Sequence, residues 1–148
     1  MGLKLIQIGI GAWGWSWARI VKESKYWDTV AYVDLNEERL RKASIAYHME
    51  RSRCYTSLDE ALSKVEADAV LVVVPPAAHN EVAIKALKAG LHVLVEKPLA
   101  DDIEKAKRMV AEAKKRNLKH TSRLKFKGKY IHLFALISIP ILYLKISI

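Results

Sequence analysis

A glycine-rich turn near the N-terminus constrains the fold of this 148-residue chain more than any other feature. The turn has the spacing Gly9-x-Gly11-x-x-Gly14, follows an apolar run over residues 3–8, and opens a segment with helical periodicity. The first glycine of such a turn permits a sharp bend, the second lets a ligand approach the backbone, and the third lets the helix pack against the strand. The pattern therefore predicts a strand–turn–helix unit of a parallel α/β sheet.

Asp34 supplies a second element at the distance that this motif requires. It lies 20 residues after Gly14, at the end of the apolar run over residues 29–33. A carboxylate there can accept hydrogen bonds from ribose hydroxyls, while the helix N-terminus at Ala12 and Trp13 offers N–H groups to a pyrophosphate. Strand, helix and acid together predict a dinucleotide site, rather than a turn with a structural role alone.

The remaining pattern alternates short apolar runs with amphipathic segments up to about residue 118. Further strands are predicted at residues 53–55, 69–74 and 92–95, with a sixth near Lys119. Asn36 and Ser57 are predicted N-caps, and helices are predicted over residues 79–89, ended by Gly90, and 101–116. This alternation predicts a Rossmann-type doubly wound parallel sheet in a single domain, residues 1–118, followed by an atypical tail, residues 119–148.

The segments that follow the predicted strands are expected to border one crevice. Ligands of doubly wound sheets bind beyond the carboxyl ends of the strands. Those ends lead into the glycine turn, Asp34, Pro75-Pro76 and Glu96-Lys97-Pro98. The two prolines lack backbone N–H groups, so they are expected to shape the crevice rather than donate to a ligand.

Three of these segments resemble the successive motifs of one enzyme family. They are Gly9-Ile10-Gly11-Ala12-Trp13-Gly14, Val74-Pro75-Pro76-Ala77-Ala78-His79 and Glu96-Lys97-Pro98-Leu99-Ala100. They resemble the glucose–fructose oxidoreductase/inositol dehydrogenase/MocA family over about residues 3–118. The resemblance implies an NAD(P)-dependent oxidoreductase that passes hydride between nicotinamide C4 and a carbon of a sugar- or polyol-like substrate. It also implies that Lys97 lies near nicotinamide and substrate as the catalytic residue, and that Pro98 admits a cis peptide.

Motif and resemblance together give a set of predicted cofactor-binding residues: Gly9, Gly11, Ala12, Trp13, Gly14, Asp34, Pro75, Pro76, His79, Glu96 and Lys97. For His79, a cofactor-side role and a packed, hydrogen-bonded role both remain open. Asp34 favours NAD because a carboxylate repels a 2′-phosphate, while Arg39 and Arg41 nearby leave NADP open.

The tryptophans, the cysteine and the other histidines are predicted to have structural rather than catalytic roles. Trp13 and Trp17 share one helical face and are predicted to pack, with Trp13 lining the crevice as the alternative and Trp15 exposed. Cys54, the single cysteine, is predicted to be buried rather than reactive; it excludes an internal disulfide and favours a reducing cytoplasm. The histidines show no metal-ligand spacing, so no metal is predicted.

The tail differs sharply from the first part in charge and composition. All 16 acidic residues lie within residues 1–112, whereas residues 113–148 carry nine Lys or Arg and no acid, and residues 131–148 are almost wholly apolar. Three explanations remain open: the frameshifted end of a truncated gene, strands that extend the sheet or pair with a second copy, and a membrane anchor. An exposed apolar edge favours a homo-oligomer, and Pro140 and Lys145 argue against the anchor.

The tail also bears on function. Full-length members of the resembled family carry a second α/β domain that supplies much of the substrate pocket, so the chain is expected to be catalytically incomplete. The alternative is a non-catalytic NAD(H)-binding sensor or a dimerising remnant. Nucleic-acid binding is disfavoured, because the eight basic residues between Lys114 and Lys129 carry no binding motif and few aromatics.

Overall fold

The structure, a computed structural model, describes residues 2–117, 120–126 and 129–133. Its strands are β1 Leu3–Ile8, β2 Trp27–Val33, β3 Cys54–Tyr55, β4 Ala69–Val72, β5 His92–Val95, β6 His120–Phe126 and β7 Lys129–Leu133. Its helices are α1 Ala12–Glu23, α2 Glu37–Tyr47, α3 Leu58–Lys64, α4 Pro76–Lys88 and α5 Ile103–Lys115.

The described strands form one sheet in the order β3-β2-β1-β4-β5-β6-β7. Every pair from β3 to β6 is parallel, and β7 runs antiparallel to β6. The predicted Rossmann-type fold is therefore confirmed. From β1 the chain adds strands on one side of the sheet (β2, β3) and then on the other (β4, β5, β6). The switch point therefore lies between β1 and β4, which is where sheets of this kind open a ligand crevice.

The central strands are buried on both faces, as expected of a parallel sheet that helices cover from both sides. The successive residues Leu5 and Ile6 of β1, and Val70 and Leu71 of β4, point to opposite faces and are at most 4% exposed. Their apolar side chains explain why these short runs form strands. Gln7, also within β1, is the exception, because it is polar and yet fully buried.

Helix boundaries follow from capping residues that the sequence predicts. The Asn36 side chain accepts a hydrogen bond from the Arg39 N–H at 3.0 Å, and the Ser57 hydroxyl accepts one from the Glu60 N–H at 3.5 Å. Gly90, at φ +87°, ends α4 as predicted. Its N–H and that of Leu91 bond to carbonyls of the last helical turn, so both predicted N-caps and the predicted stop are confirmed.

Several predicted boundaries are wrong by a few residues. Strand β4 ends at Val72 rather than residue 74, and α4 begins at Pro76 rather than residue 79. Proline at the first helical position lacks only an N–H that would have no partner there, so the helix starts earlier than its apolar periodicity indicates. Helix α5 begins at Ile103, because the Asp102 carboxylate caps it by accepting from two N–H groups.

The sheet continues beyond residue 118. The sixth strand predicted near Lys119 is confirmed as β6, which pairs in parallel with β5. The boundary between domain and tail at residues 118–119 stays a prediction. The pairing of residues 137–142 and the anchor over residues 131–148 concern segments that lie largely outside the described residues.

Candidate functional site

The glycine turn lies at the carboxyl end of β1 and is held by close backbone contacts. Gly9 has φ +93°, and a Cβ there would lie 2.2 Å from the Val73 carbonyl oxygen. A Cβ on Gly14 would lie 2.1 Å from the Gly9 carbonyl oxygen. Both positions therefore require glycine, one for the bend and one for the approach of α1 to β1, as the motif predicts.

Gly11 differs from its two neighbours, because space is open on its side-chain face. A Cβ there would meet nothing within 4 Å in the described part of the chain. Gly11 is also the N-cap of α1 and brings no capping side chain, so the first-turn N–H groups are left for a ligand. The open face and the uncapped, positive helix end fit a pyrophosphate group.

Asp34 lies at the carboxyl end of β2, 8% exposed, and connects β2 to the glycine turn. Its Oδ2 accepts a hydrogen bond from the Ile10 N–H at 2.7 Å, and its Oδ1 accepts one from the Asn36 N–H at 2.8 Å. Each carboxylate oxygen has a second lone pair that can accept from a ribose hydroxyl. Asp34 thus has a structural role in the turn in addition to its predicted ligand role.

The two arginines after Asp34 have different partners. Arg39 Nη1 lies 3.7 Å from Asp34 Oδ1, so this guanidinium is beside the crevice. Arg41 instead makes two hydrogen bonds with the Glu38 carboxylate, at 2.7 and 2.8 Å. Of the pair, Arg39 is the one positioned to meet a 2′-phosphate.

Gln7 holds the glycine turn through its side chain, a role that the sequence analysis did not predict. It is fully buried, and its Nε2 donates to the Gly14 carbonyl at 2.6 Å and to the Gly9 carbonyl at 3.4 Å. Its Oε1 has no partner among the described residues. A polar residue inside the apolar run of β1 is the signal that would have found it.

On the other side of the crevice, the segment after β4 enters α4 through two exposed prolines. Pro75 is the N-cap of α4 and Pro76 its first residue. Neither can donate a backbone hydrogen bond, in line with the predicted role of shaping the crevice.

His79 is 1% exposed and connects the ends of two strands. Its Nδ1 lies 2.8 Å from the Pro98 carbonyl oxygen, and its Nε2 lies 2.8 Å from the Val74 carbonyl oxygen. Both ring nitrogens therefore already have partners within the protein. Of the two roles left open by the sequence, this geometry favours the packed, hydrogen-bonded one.

Lys97 follows β5 and is exposed at the edge of the crevice. Its backbone N–H donates to the Glu96 carboxylate at 3.3 Å, and the Lys97–Pro98 peptide is cis. The ammonium Nζ lies 5.8 Å from the centroid of the Trp13 ring, within the range of a cation–π contact. The structure thus brings the Glu-Lys-Pro segment against the first turn of α1.

The predicted packing role is confirmed for Trp17 and wrong for Trp13. Trp17 is 7% exposed and packs on the sheet, whereas Trp13 is 71% exposed. Because Trp13 lies in the first turn of α1, at the crevice end, it is beyond the apolar surface that covers Trp17. The alternative, a Trp13 that lines the crevice, agrees with its contact to Lys97.

A comparison with known families shows which family this chain belongs to. Residues 3–123 match the model of the glucose–fructose oxidoreductase/inositol dehydrogenase/MocA family, described as an oxidoreductase family with an NAD-binding Rossmann fold. The chain belongs to this family. The predicted resemblance is therefore confirmed, and the described domain is the NAD-binding domain of this oxidoreductase family.

Relatives of known activity agree with that assignment. The chain is 30% identical over 134 residues to 4-carboxy-2-hydroxymuconate-6-semialdehyde dehydrogenase of Sphingobium, covering 88% of the chain and 42% of the relative. It is 39% identical over 83 residues to UDP-N-acetylglucosamine 3-dehydrogenase of Acidithiobacillus ferrooxidans, covering 56% and 26%. The WlbA dehydrogenase of Bordetella pertussis, solved with NADH and UDP-GlcNAcA, superposes with a TM-score of 0.77 at 27% identity, covering 82% and 37%. The chain therefore spans less than half the length of these family members.

Other chemistry finds little support in the described residues. They contain no group of three or more His, Cys, Asp or Glu placed to hold a metal ion. In the same part of the chain, no helix combines the length and apolar character needed to cross a bilayer. Cys54 is half-buried rather than fully buried, and burial raises the pKa of its thiol, which disfavours a nucleophilic thiolate.

Proposed function

We propose that this chain forms the cofactor half of an oxidoreductase that transfers hydride between a nicotinamide dinucleotide and a hydroxyl or carbonyl carbon of a sugar- or polyol-like compound. The observation that carries the proposal is the approach of Lys97 to the glycine turn. Its ammonium lies 5.8 Å from the Trp13 ring, at the helix end that fits a pyrophosphate. A cation for the substrate and a helix end for the cofactor therefore share one crevice.

Lys97 has a defined chemical task in this proposal. Bound NAD(H) would supply the hydride acceptor or donor at nicotinamide C4. The Lys97 ammonium donates a hydrogen bond to the reacting substrate oxygen and stabilises the negative charge that develops there as hydride leaves or arrives. Lys97 is exposed, so its charge is available to a substrate that enters from the crevice mouth.

NAD is the preferred cofactor in this proposal. The Asp34 carboxylate is nearly buried at the end of β2, with both oxygens held by backbone N–H groups. A 2′-phosphate would meet this fixed negative charge, although Arg39 offers a compensating cation at 3.7 Å from it. We also propose a cytoplasmic location, which the single cysteine supports because a lone thiol suits a reducing compartment.

Calorimetric titration with NADH and NADPH tests the cofactor assignment. We expect saturable NADH binding that is tighter than NADPH binding and is weakened about tenfold or more in Asp34→Asn, because a hydrogen bond to a charged group contributes about 1.5–3 kcal/mol. Asp59→Asn is the matched control, since this exposed carboxylate pairs with Lys85 on the surface and should leave binding unchanged. A folded protein that binds neither dinucleotide would refute the proposal.

A non-catalytic NAD(H)-binding protein or dimerising remnant is the second candidate. It is supported by the glycine turn and Asp34, which fit a dinucleotide without requiring a substrate. Absorbance at the reduced-nicotinamide band, followed with NAD and a panel of polyols and sugars, distinguishes the two. Turnover that is lost in Lys97→Met with NADH affinity retained supports the enzyme, whereas binding without turnover supports the second candidate.

We also propose a homo-oligomer formed through the apolar segment over residues 131–148. The support is compositional: this segment has one Lys and no acid, and exposed apolar strands pair with other chains. Light scattering during size exclusion tests it. A monomer at micromolar concentration would rule it out, and a defined oligomer that dissociates in Ile139→Lys would support it.

A further inference from the structure

His79 contacts two crevice segments that are distant in sequence. Its ring nitrogens lie 2.8 Å from the carbonyl oxygens of Val74, which follows β4, and of Pro98, which follows β5. The ring is 1% exposed, so water cannot readily replace either bond. His79 therefore sets the separation between the two walls of the crevice on this side.

The two contacts join the ring to both segments. A carbonyl oxygen accepts a hydrogen bond from a ring N–H, and whichever nitrogen carries the proton, it lies 2.8 Å from a carbonyl oxygen. The buried ring therefore always directs an N–H at one segment while it packs against the other.

The bond to Pro98 acts on the residue before it. Lys97 is exposed, so the backbone that carries it is what fixes its place beside Trp13. Pro75 and Pro76 have no N–H with which to bind the opposite wall. We propose that His79 is a positioning residue for Lys97: its buried ring lies between the Val74 and Pro98 carbonyls, 2.8 Å from each, and holds the lysine-bearing segment against the crevice.

This inference depends on the proposed function only for the role of Lys97, and it is tested without NADH, so the two can fail separately. The first test is nitrogen-15 NMR of the His79 ring in the whole wild-type chain. A ring N–H that exchanges slowly with water is expected, because the ring is buried and hydrogen-bonded. A ring N–H that exchanges as fast as that of an exposed histidine would overturn the inference, and no variant is needed for this measurement.

The second test follows the position of Lys97. Reductive methylation with carbon-13 labels the lysines, and the Lys97 signal is assigned by its loss in Lys97→Arg. In the wild type this signal should be displaced by the Trp13 ring, which lies 5.8 Å from Nζ. In His79→Phe, which fills the space without donors, it should move to the position of a free surface lysine, and in His79→Gln, which keeps one donor group, it should move part of the way.

Asn80→Ala is the matched control. Asn80 is the next residue of α4 and donates one side-chain hydrogen bond to the Lys105 carbonyl at 2.9 Å, but it contacts neither Val74 nor Pro98. This variant should leave the Lys97 signal in place. If His79→Phe is folded and the Lys97 signal does not move, or if Asn80→Ala moves it equally, His79 has no specific positioning role.

Discussion

Alanine substitutions in the glycine turn should separate stability from cofactor binding. In Gly14→Ala the new Cβ would lie 2.1 Å from the Gly9 carbonyl oxygen. That atom belongs to the backbone, so the helix or the turn must move by more than an ångström. Overpacking of this kind costs up to about 3 kcal/mol, and the better helix propensity of alanine returns at most about 1 kcal/mol.

The net loss for Gly14→Ala is therefore about 2 kcal/mol. For a domain of this size it corresponds to a decrease of roughly 4–8 °C in Tm, measured by circular dichroism. Gly11→Ala is the matched comparison, because a Cβ there meets nothing within 4 Å in the described structure. Its Tm should stay within about 2 °C of the wild type, since a methyl group in open space creates no strain.

Gly11→Ala should weaken NADH binding although it leaves the Tm unchanged. A methyl group on its open face would occupy the space that a pyrophosphate needs, so NADH affinity in calorimetry should fall at least tenfold while Tm is retained. Equal Tm values for Gly14→Ala and the wild type would refute the packing argument. Unchanged NADH affinity in Gly11→Ala would refute the assignment of the turn as the pyrophosphate site.

Three further outcomes are expected. Leu87→Ala removes a fully buried side chain and should lower the free energy of unfolding in urea by about 2–5 kcal/mol, whereas the exposed Leu35→Ala should change it little. A hydrogen bond from Arg41 lowers the pKa of Glu38 from 4.5 to about 2. The small Tm advantage of the wild type over Glu38→Gln should therefore be present above pH 4.5 and disappear as the pH falls towards 2; an advantage that grows in acid would contradict this. Burial raises the pKa of Cys54, so its reaction with a disulfide reagent at neutral pH should be slower in the folded protein than after unfolding; equal rates would show an accessible thiolate.

Most of the architecture follows from local patterns that a sequence displays directly. Short apolar runs, capping residues such as Asn36 and Ser57, and the helix stop at Gly90 each depend on a few neighbouring residues. The glycine spacing and Asp34 add the position of the crevice. Errors occurred where local rules compete, as at the start of α4, where Pro76 opens the helix before the apolar periodicity becomes visible.

The parts of the site that the sequence left open depend on contacts between distant segments. Asp34 accepts from the Ile10 N–H as well as being placed for a ribose, and His79 bonds to both Val74 and Pro98. No rule of sequence spacing predicts these contacts, because they form only when the ends of neighbouring strands meet at one edge of the sheet.

The sequence by itself thus determined the parallel α/β fold, the family and the edge of the sheet where a dinucleotide fits. The tertiary structure decided what each side chain does there: Trp13 is exposed beside Lys97 instead of packed with Trp17, and Gln7 supports the turn from inside β1. The physical reason is the sequence distance over which the interactions act. Periodicity and capping act over one or two turns of chain, whereas burial and hydrogen-bond partners at the crevice are set by segments that meet only in the folded sheet.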